Sequence, residues 1–336
     1  MTVRALFAAG AVAILLAAPA IAAPFRVIVT DMETPLVPNS VMELAKSEGY
    51  FDRAGVDVEF VRVQQTPLAI AALRSGEGEM ANVGVEALLQ LSLQGVDDLR
   101  AVTSPNKALP YMIVASGLTS TSELPGKAFG IGRIGSVDHL LSLRVLAAKG
   151  VDPATVDLVP LGQPNVRAQA LVAGRIAATT MSIGTFLSMP EADRMSVLVG
   201  VEDFYAAAPI VSKVNAVTTA VLERRGEDVR AVIEAMTLAA RDFAADPATW
   251  VAAMEKARPD VSHETLVKLG QAFAQSWSVN GGLERGELDT TVDWLWETED
   301  FAGKPKPAME SWVNFGPEDA VLGTIGVAEG GDRPSR

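Results

Sequence analysis

The sequence predicts an α/β protein of two similar lobes with mixed, mainly parallel sheets, the second lobe inserted into the first through two crossovers. Three observations predict it. From Phe25 onward, short apolar strands alternate with helices, the pattern of sheets covered by helices. The same rhythm starts again at Tyr111, and after Val217 it gives way to helices alone.

Taken in order, "FRVIVT" (25–30) alternates as a strand does and runs into a loop holding Pro35, Pro38 and Asn39. A helix follows over Val41 to Glu48, with Gly49 placed as a C′ glycine. "VDVEFVRV" (56–63) is the next strand, then a helix near Leu68 to Arg74, a short strand "EMANVG" and a helix "VEALLQLSLQ". The second round runs "YMIVAS", "KAFGIG", a helix from Ser136 to Lys149, "VDLVPLG", a helix near Val166 to Ala173 and "RIAATTMS". Ala72, Leu73 and Gly76 correspond to Ala170, Leu171 and Gly174, each helix ending at a glycine before a short strand.

Beyond "RMSVLVGV" and "APIVSKVNAV", Thr219 caps a long helix with Val229, Val232, Ile233, Met236 and Ala240 at helical spacing. Asp246-Pro247 starts another, and Ser262 caps a third through Phe273. A last helix, near Glu287 to Glu297, carries Trp294 and Trp296 on different sides, as packing residues. Residues 23–104 plus 207–336 are expected to form lobe 1, and residues 105–206 the inserted lobe 2. A ligand is expected in the cleft between them, with closure about the hinge.

Residues 1–22 read as a cleaved secretory signal. Arg4 precedes an apolar run from Ala5 to Ala18, and Ala20-Ile21-Ala22 has the small residues of a cleavage site before Ala23. The run is too short to span a bilayer. Of 336 residues none is Cys, which leaves no lipid-accepting cysteine, disulfide, thiol nucleophile or cysteine metal site. A periplasmic protein without a lipid anchor is expected. With the signal removed, 27 cations face 41 anions. Such a surface repels nucleic acid and anionic membranes, and any anion site on it must be built from local dipoles and a few placed cations.

One stretch offers such a site. "KAFGIGRIGSVDHLL" passes from strand to helix through Gly130, Gly132 and Gly135, the spacing of a dinucleotide fingerprint. That reading needs an acidic residue at the end of the next strand, where Gly162, Gln163 and Pro164 stand instead, so no cofactor is expected. The surviving mechanism is a helix N-terminus whose amides, at Ser136 and Val137 after Gly135, favour an anion. Equally open is the reading in which Ser136 only caps the helix and the glycines only make the turn.

A second strand-to-helix passage, "LGQPNVRAQAL", has Asn165 as the expected cap and Arg167 in the first turn, where a cation opposes the helix dipole. Arg133 sits in the other turn. If the two strands are parallel neighbours, both arginines converge at the carboxyl edge of one sheet, where such sheets bind ligands. Pairing of either arginine with a carboxylate is the alternative.

Catalysis is not expected. Ser136, Asp138 and His139 fall within one helical turn and cannot form a nucleophile, base and orienter chain. His263 reads as a solvated first-turn residue. There is no HExxH, GxSxG or phosphate-loop motif and no spaced carboxylate metal cluster. A cleft carboxylate pair has no fixed spacing, so an exported enzyme using one stays as the alternative class.

The stretches "SVMELAKSEGYFDRAGVDVEFVRV", "GKAFGIGRIGSVDHLLSLRVLAAKGVDPATVDLVPLG" and "QALVAGRIAATTMS" resemble the solute-binding proteins of the nitrate/sulfonate/taurine group of ABC importers. That group is similar to the thiamine-pyrimidine synthases. The likeness runs from Phe25 to Trp277 and is most specific at Gly49, Tyr50, Phe51 and Gly55, and at Gly135 and Ser136. It implies a type 2 periplasmic binding protein fold, a small-molecule solute held between the lobes, and an inner-membrane ABC permease as partner; a monomer is expected. It also implies ligand contacts at Gly135 and Ser136, in the first loop (Asp31, Met32, Glu33, Thr34), and at Thr66 and Asn82. Asp31 and Glu33 depart from an anion-binding pattern, so a sulfonate or carboxylate, a zwitterion and a polar ring compound such as a pyrimidine all stay open. The related synthases use a cysteine-rich motif, which this chain lacks.

Overall fold

The computed structural model describes residues 23–105, 110–208, 210–273, 276–329 and 332. The expected signal segment, and residues 106–109 of the first crossover, lie outside the described residues. In chain order, the first part carries β1 (Phe25–Val29), α1 (Val41–Ser47), α2 (Tyr50–Arg53), β2 (Val58–Arg62), α3 (Thr66–Ser75), β3 (Met80–Gly84), α4 (Val85–Leu93) and β4 (Leu99–Thr103). The middle carries β5 (Tyr111–Ala115), β6 (Ala128–Ile131), α5 (Val137–Ala148), β7 (Asp157–Pro160), α6 (Pro164–Val172), β8 (Ala178–Ser182), α7 (Ile183–Leu187), β9 (Ser196–Val199) and α8 (Val201–Ala207). The rest carries β10 (Lys213–Thr218), α9 (Thr219–Ala245), α10 (Pro247–Ala257), α11 (His263–Ala272), α12 (Arg285–Leu295) and α13 (Gly316–Ile325).

Two five-stranded sheets result, in the orders β2-β1-β3-β10-β4 and β7-β6-β8-β5-β9. In each, the three strands on one side are parallel and the last two run through an antiparallel partner. The chain leaves the first sheet after β4 and returns to it at β10. The sequence echo has a structural counterpart: α3 ends at left-handed Gly76 before β3, and α6 ends before left-handed Gly174 and β8. With no Cβ, glycine enters that region without the strain other residues meet.

The carboxyl ends of β1, β3, β6 and β8 point toward one region, and the turns following them build the cleft. Behind the first sheet, α9 buries Val229, Val232, Ile233, Met236 and Ala240 as their spacing predicts; beside them Phe273 packs edge to face with Trp250 and Trp277, and Phe243 lies tilted on Trp277. Tyr50 belongs to this support, because its hydroxyl donates to Asp242 Oδ2 at 2.5 Å. Trp294 is buried, and Trp296 stacks on Phe301 while its indole N–H donates to the Lys304 carbonyl, so both tryptophans are packing residues.

Two expected caps move, and a third keeps its place without capping. The long helix is capped by Thr218, whose hydroxyl accepts from the Val221 amide, rather than by Thr219. The helix after β7 starts at Pro164 with Gln163 as cap, two residues before Asn165, because proline suits the first helical position. Ser136 holds the cap position of α5, but its side chain does not cap the helix. The strand Leu99–Thr103 has no strong alternation and owes its state to pairing with β10.

Candidate functional site

Two contiguous cavities of about 200 and 180 Å³ lie between the sheets. They share Asp31, Tyr111, Gln163, Pro164 and Lys213. The outer one is bounded by the first loop with Glu33, and by Asn39, Ser182, Thr185 and Arg258. The inner one is bounded by Thr66, Glu86, Arg133, Ser136, Val137, Asp138 and Arg167. The two sides touch at the rim. Gln163 Nε2 donates to the Gln64 carbonyl at 2.6 Å, and Arg133 faces Glu86 at 3.6 Å.

The glycine turn is built differently from a bare anion site. Gly130 leaves room for Ile176, since a Cβ there would lie 2.5 Å from that side chain. Gly132 leaves room for Asp138, whose Oδ1 would be 2.7 Å from an added Cβ. Asp138 Oδ2 accepts the Gly132 amide at 2.6 Å and lies 3.6 Å from Arg167 Nη1. Gly135 takes the left-handed conformation, and its amide donates to His139 Nδ1 at 3.0 Å. The Ser136 hydroxyl lies 2.7 Å from the Arg133 carbonyl and 2.6 Å from Asp138 Oδ1, so its proton serves the turn itself. A carboxylate and an imidazole of the same helix thus occupy the Gly132 and Gly135 amides, and of the two amides that the sequence offered to a guest, that of Ser136 donates to the Arg133 carbonyl at 3.2 Å. Accepting at Nδ1 requires a neutral imidazole at that nitrogen, and burial lowers the His139 pKa in the same direction.

Both arginines also meet carboxylates. Arg167 is 3% exposed, with its guanidinium bonded to the Gly162 and Thr180 carbonyls and to the Thr179 hydroxyl besides Asp138. Arg133 reaches across to Glu86, at the first turn of α4. Glu86 is 2% exposed, and its Oε2 has no hydrogen-bond partner among the described residues. Its carboxylate folds over Gly84, where a Cβ would lie 2.2 Å from Oε2. Burial pushes the Glu86 carboxyl up to about 7, against the opposing pull of Arg133, the amides at the start of α4, and Lys213.

Of the residues expected at the site, the structure brings Asp31, Glu33, Thr66, Arg133, Ser136, Val137 and Arg167 to the cleft lining. Three stand behind it. The Thr34 hydroxyl donates to Glu43 at 2.6 Å, and Asn82, fully buried, donates to Asn215 at 2.8 Å. Gly135 faces His139 and Asp300.

Residues missed in the sequence are Tyr111, Lys213, Glu86, Asp138 and Gln163. The Lys213 ammonium donates to the Thr30 hydroxyl at 2.8 Å and has no carboxylate within ion-pair distance among the described residues. Tyr111 stacks edge-on against Phe204. Its hydroxyl has no hydrogen-bond partner among the described residues, and burial raises its pKa. The Asp31 carboxylate accepts from Asn39 through Oδ2 at 2.9 Å, with its Oδ1 unengaged by any described residue. A glutamate or aspartate in a helix's first turn is a legible signal for Glu86 and Asp138. Lys213 and Tyr111 carry none, since both sit at strand starts beside the crossovers.

Two mixed sheets, two crossovers and a polar cleft at the strand ends define the type 2 periplasmic binding protein fold. Residues 40–249 match the family described as "NMT1/THI5 like", more than half of the chain, and the protein belongs to that family. No curated protein matches by sequence. Among solved structures, the ligand-binding component of an ABC-type import system from Staphylococcus aureus, with zinc bound, aligns at 15% identity and a TM-score of 0.72, over 88% of this chain and 98% of that one. The alkanesulfonate-binding protein SsuA from Xanthomonas axonopodis pv. citri, bound to MOPS, aligns at 19% identity and a TM-score of 0.67, over 85% and 95%. The desulfurization enzyme DSZB aligns at 16% identity and a TM-score of 0.61, over 90% and 99%. The fold therefore serves both binding proteins and an enzyme. Among the described residues, no group of three or more His, Cys, Asp or Glu is placed to hold a metal ion, and no helix is long and apolar enough to cross a membrane.

Proposed function

We propose that the protein is a non-enzymatic periplasmic receptor that closes two lobes, residues 23–104 plus 207–336 and residues 105–206, on a small polar solute and delivers it to an ABC permease. Lys213 is the observation that carries this reading. It begins β10, lines both halves of the cleft, and is the cleft cation without a carboxylate partner among the described residues. Opposite charges at Arg133 and Arg167 are already met by Glu86 and Asp138, so the cleft holds no surplus for a multiply charged anion. Asp31 and the Tyr111 hydroxyl face the same space and can accept from, or donate to, a second polar end.

A solute with one anionic group and one donor group fits: a small zwitterion, or a polar ring bearing a single acid. Sulfonates and carboxylates of this kind fall within the reading, with the anionic group at Lys213 and the Val137 amide beside Ser136. The fold's service in importer components at full length supports the receptor role.

Thermal-shift screening with taurine, β-alanine, methanesulfonate, nitrate and pyrimidines tests it. A true solute at one hundred times its Kd adds about 2.7 kcal/mol to stability. Stabilisation by the zwitterions or single-acid rings, lost in Lys213→Met, is the expected result. Stabilisation by nitrate alone would reject the two-ended solute, and turnover of any bound compound would reject the receptor.

A further inference from the structure

Glu86 is a buried, half-satisfied carboxylate aimed into a ligand cleft, which is a costly feature to leave unused. Its charge is supported from two sides. Arg133, on the turn after β6, faces it at 3.6 Å across the cleft, and Lys213 on β10 is near enough to favour the ionised form. Tyr111, on β5, senses the charge of Glu86 together with those of Asp31, Asp138 and Arg167. His139 lies behind Asp138 and titrates against Asp138 and Asp300 instead.

The inference rests on the cleft being the solute site. An anionic group entering toward Lys213 arrives beside Glu86, which already faces Arg133 and lies within the electrostatic reach of Lys213. Two like charges in one low-dielectric space cannot both stay ionised without large cost.

We propose that Glu86 takes up a proton from solvent as the anionic group of the solute takes over Arg133 and Lys213, so that the protein binds its solute together with one proton. The proton adds to a Glu86 carboxylate oxygen, no covalent bond of the solute changes, and the net charge gained on binding one anionic group is cancelled.

The sign of the resulting pH dependence follows by linkage. The carboxyl titrates near 7 in the unliganded protein and higher once the anion is beside it. Below that range Glu86 is already protonated and affinity is level. Within it, affinity falls by up to about tenfold per pH unit, because each binding event must draw a scarcer proton, and above the pKa of the liganded state it is level again.

Taurine and methanesulfonate are suitable probes, since their charges do not change between pH 6 and pH 8, a range set here by the sulfonate and amine rather than by the protein. Calorimetric titration in two buffers of different ionisation enthalpy at pH 8 is expected to report about one proton taken up per sulfonate bound. Glu86→Gln, of nearly the same shape, is expected to bind with a level pH profile and no uptake. A proton count near zero in the native protein overturns the proposal, as does an unaltered pH slope in Glu86→Gln. If neither sulfonate binds at any pH, entry of an anion beside Arg133 is rejected, while stabilisation by a ring compound would still uphold the receptor. If nothing in the screen binds, the receptor reading itself fails.

Discussion

Arg167 and Asp138 pair at 3.6 Å across the base of the glycine turn, each from the first turn of a different helix. The pair explains why a cation sits at the start of α6 against the helix dipole: its guanidinium serves Asp138, two oxygens of β8 and the Gly162 carbonyl in the turn after β7. It also makes Arg167 a structural residue at the wall of the cleft.

Removing one member should therefore cost stability before it costs binding. Arg167→Met is expected to destabilise the protein by about 3 kcal/mol or more, because Asp138 is left nearly buried and unpaired. Arg167→Met with Asp138→Leu should recover much of that loss. Denaturant unfolding of the two variants checks this, and additive losses would disprove the pairing.

Lys213 predicts the opposite pattern. Its ammonium makes one hydroxyl contact, so Lys213→Met should leave the melting temperature within a few degrees of native. Solute affinity should fall at least about tenfold, the scale of one charge-assisted contact. Calorimetric titration beside a thermal melt separates the two effects.

Closure has its own test at Gly184. A Cβ there would lie 2.0 Å from the Leu36 carbonyl oxygen, on the other side of the cleft. Gly184→Ala is expected to hold the two sides apart. Small-angle scattering should then show no contraction on adding a solute that contracts the native protein, and equal contraction would mean that the contact is not part of the closed state.

Glu86 governs stability as well as binding. Its folded pKa is raised above the unfolded value of 4.5 to about 7, so the folded state holds the proton over a range in which the unfolded chain has released it. That contribution is fully present below the unfolded value and is lost as pH rises through about 7. At pH 8 Glu86→Gln should be more stable than native on the order of 3 kcal/mol, and at pH 4 nearly equal. Chemical denaturation at the two pH values measures it.

The order of elements was legible because it rests on local signals. Period-two strands, glycine stops at Gly49, Gly76 and Gly174, and caps at Asp246 and Ser262 act through neighbours in the chain. The strand Leu99–Thr103 and the short α7 and α8 escaped because their states depend on sheet partners and packing distant in sequence.

The glycine turn marks the boundary between the two kinds of knowledge. By itself the sequence determined that Gly130, Gly132 and Gly135 join a strand to a helix and that two arginines stand near such helix starts. Tertiary structure alone decided what those groups meet. Ile176 and Asp138 fill the spaces that Gly130 and Gly132 leave, His139 takes the Gly135 amide, Asp138 and Glu86 answer the arginines, and Lys213 arrives from the return crossover as the cation left over among the described residues. The physical reason is that a turn's shape is set by residues a few positions apart, whereas the balance of charge in a cleft is set by side chains that only folding brings together.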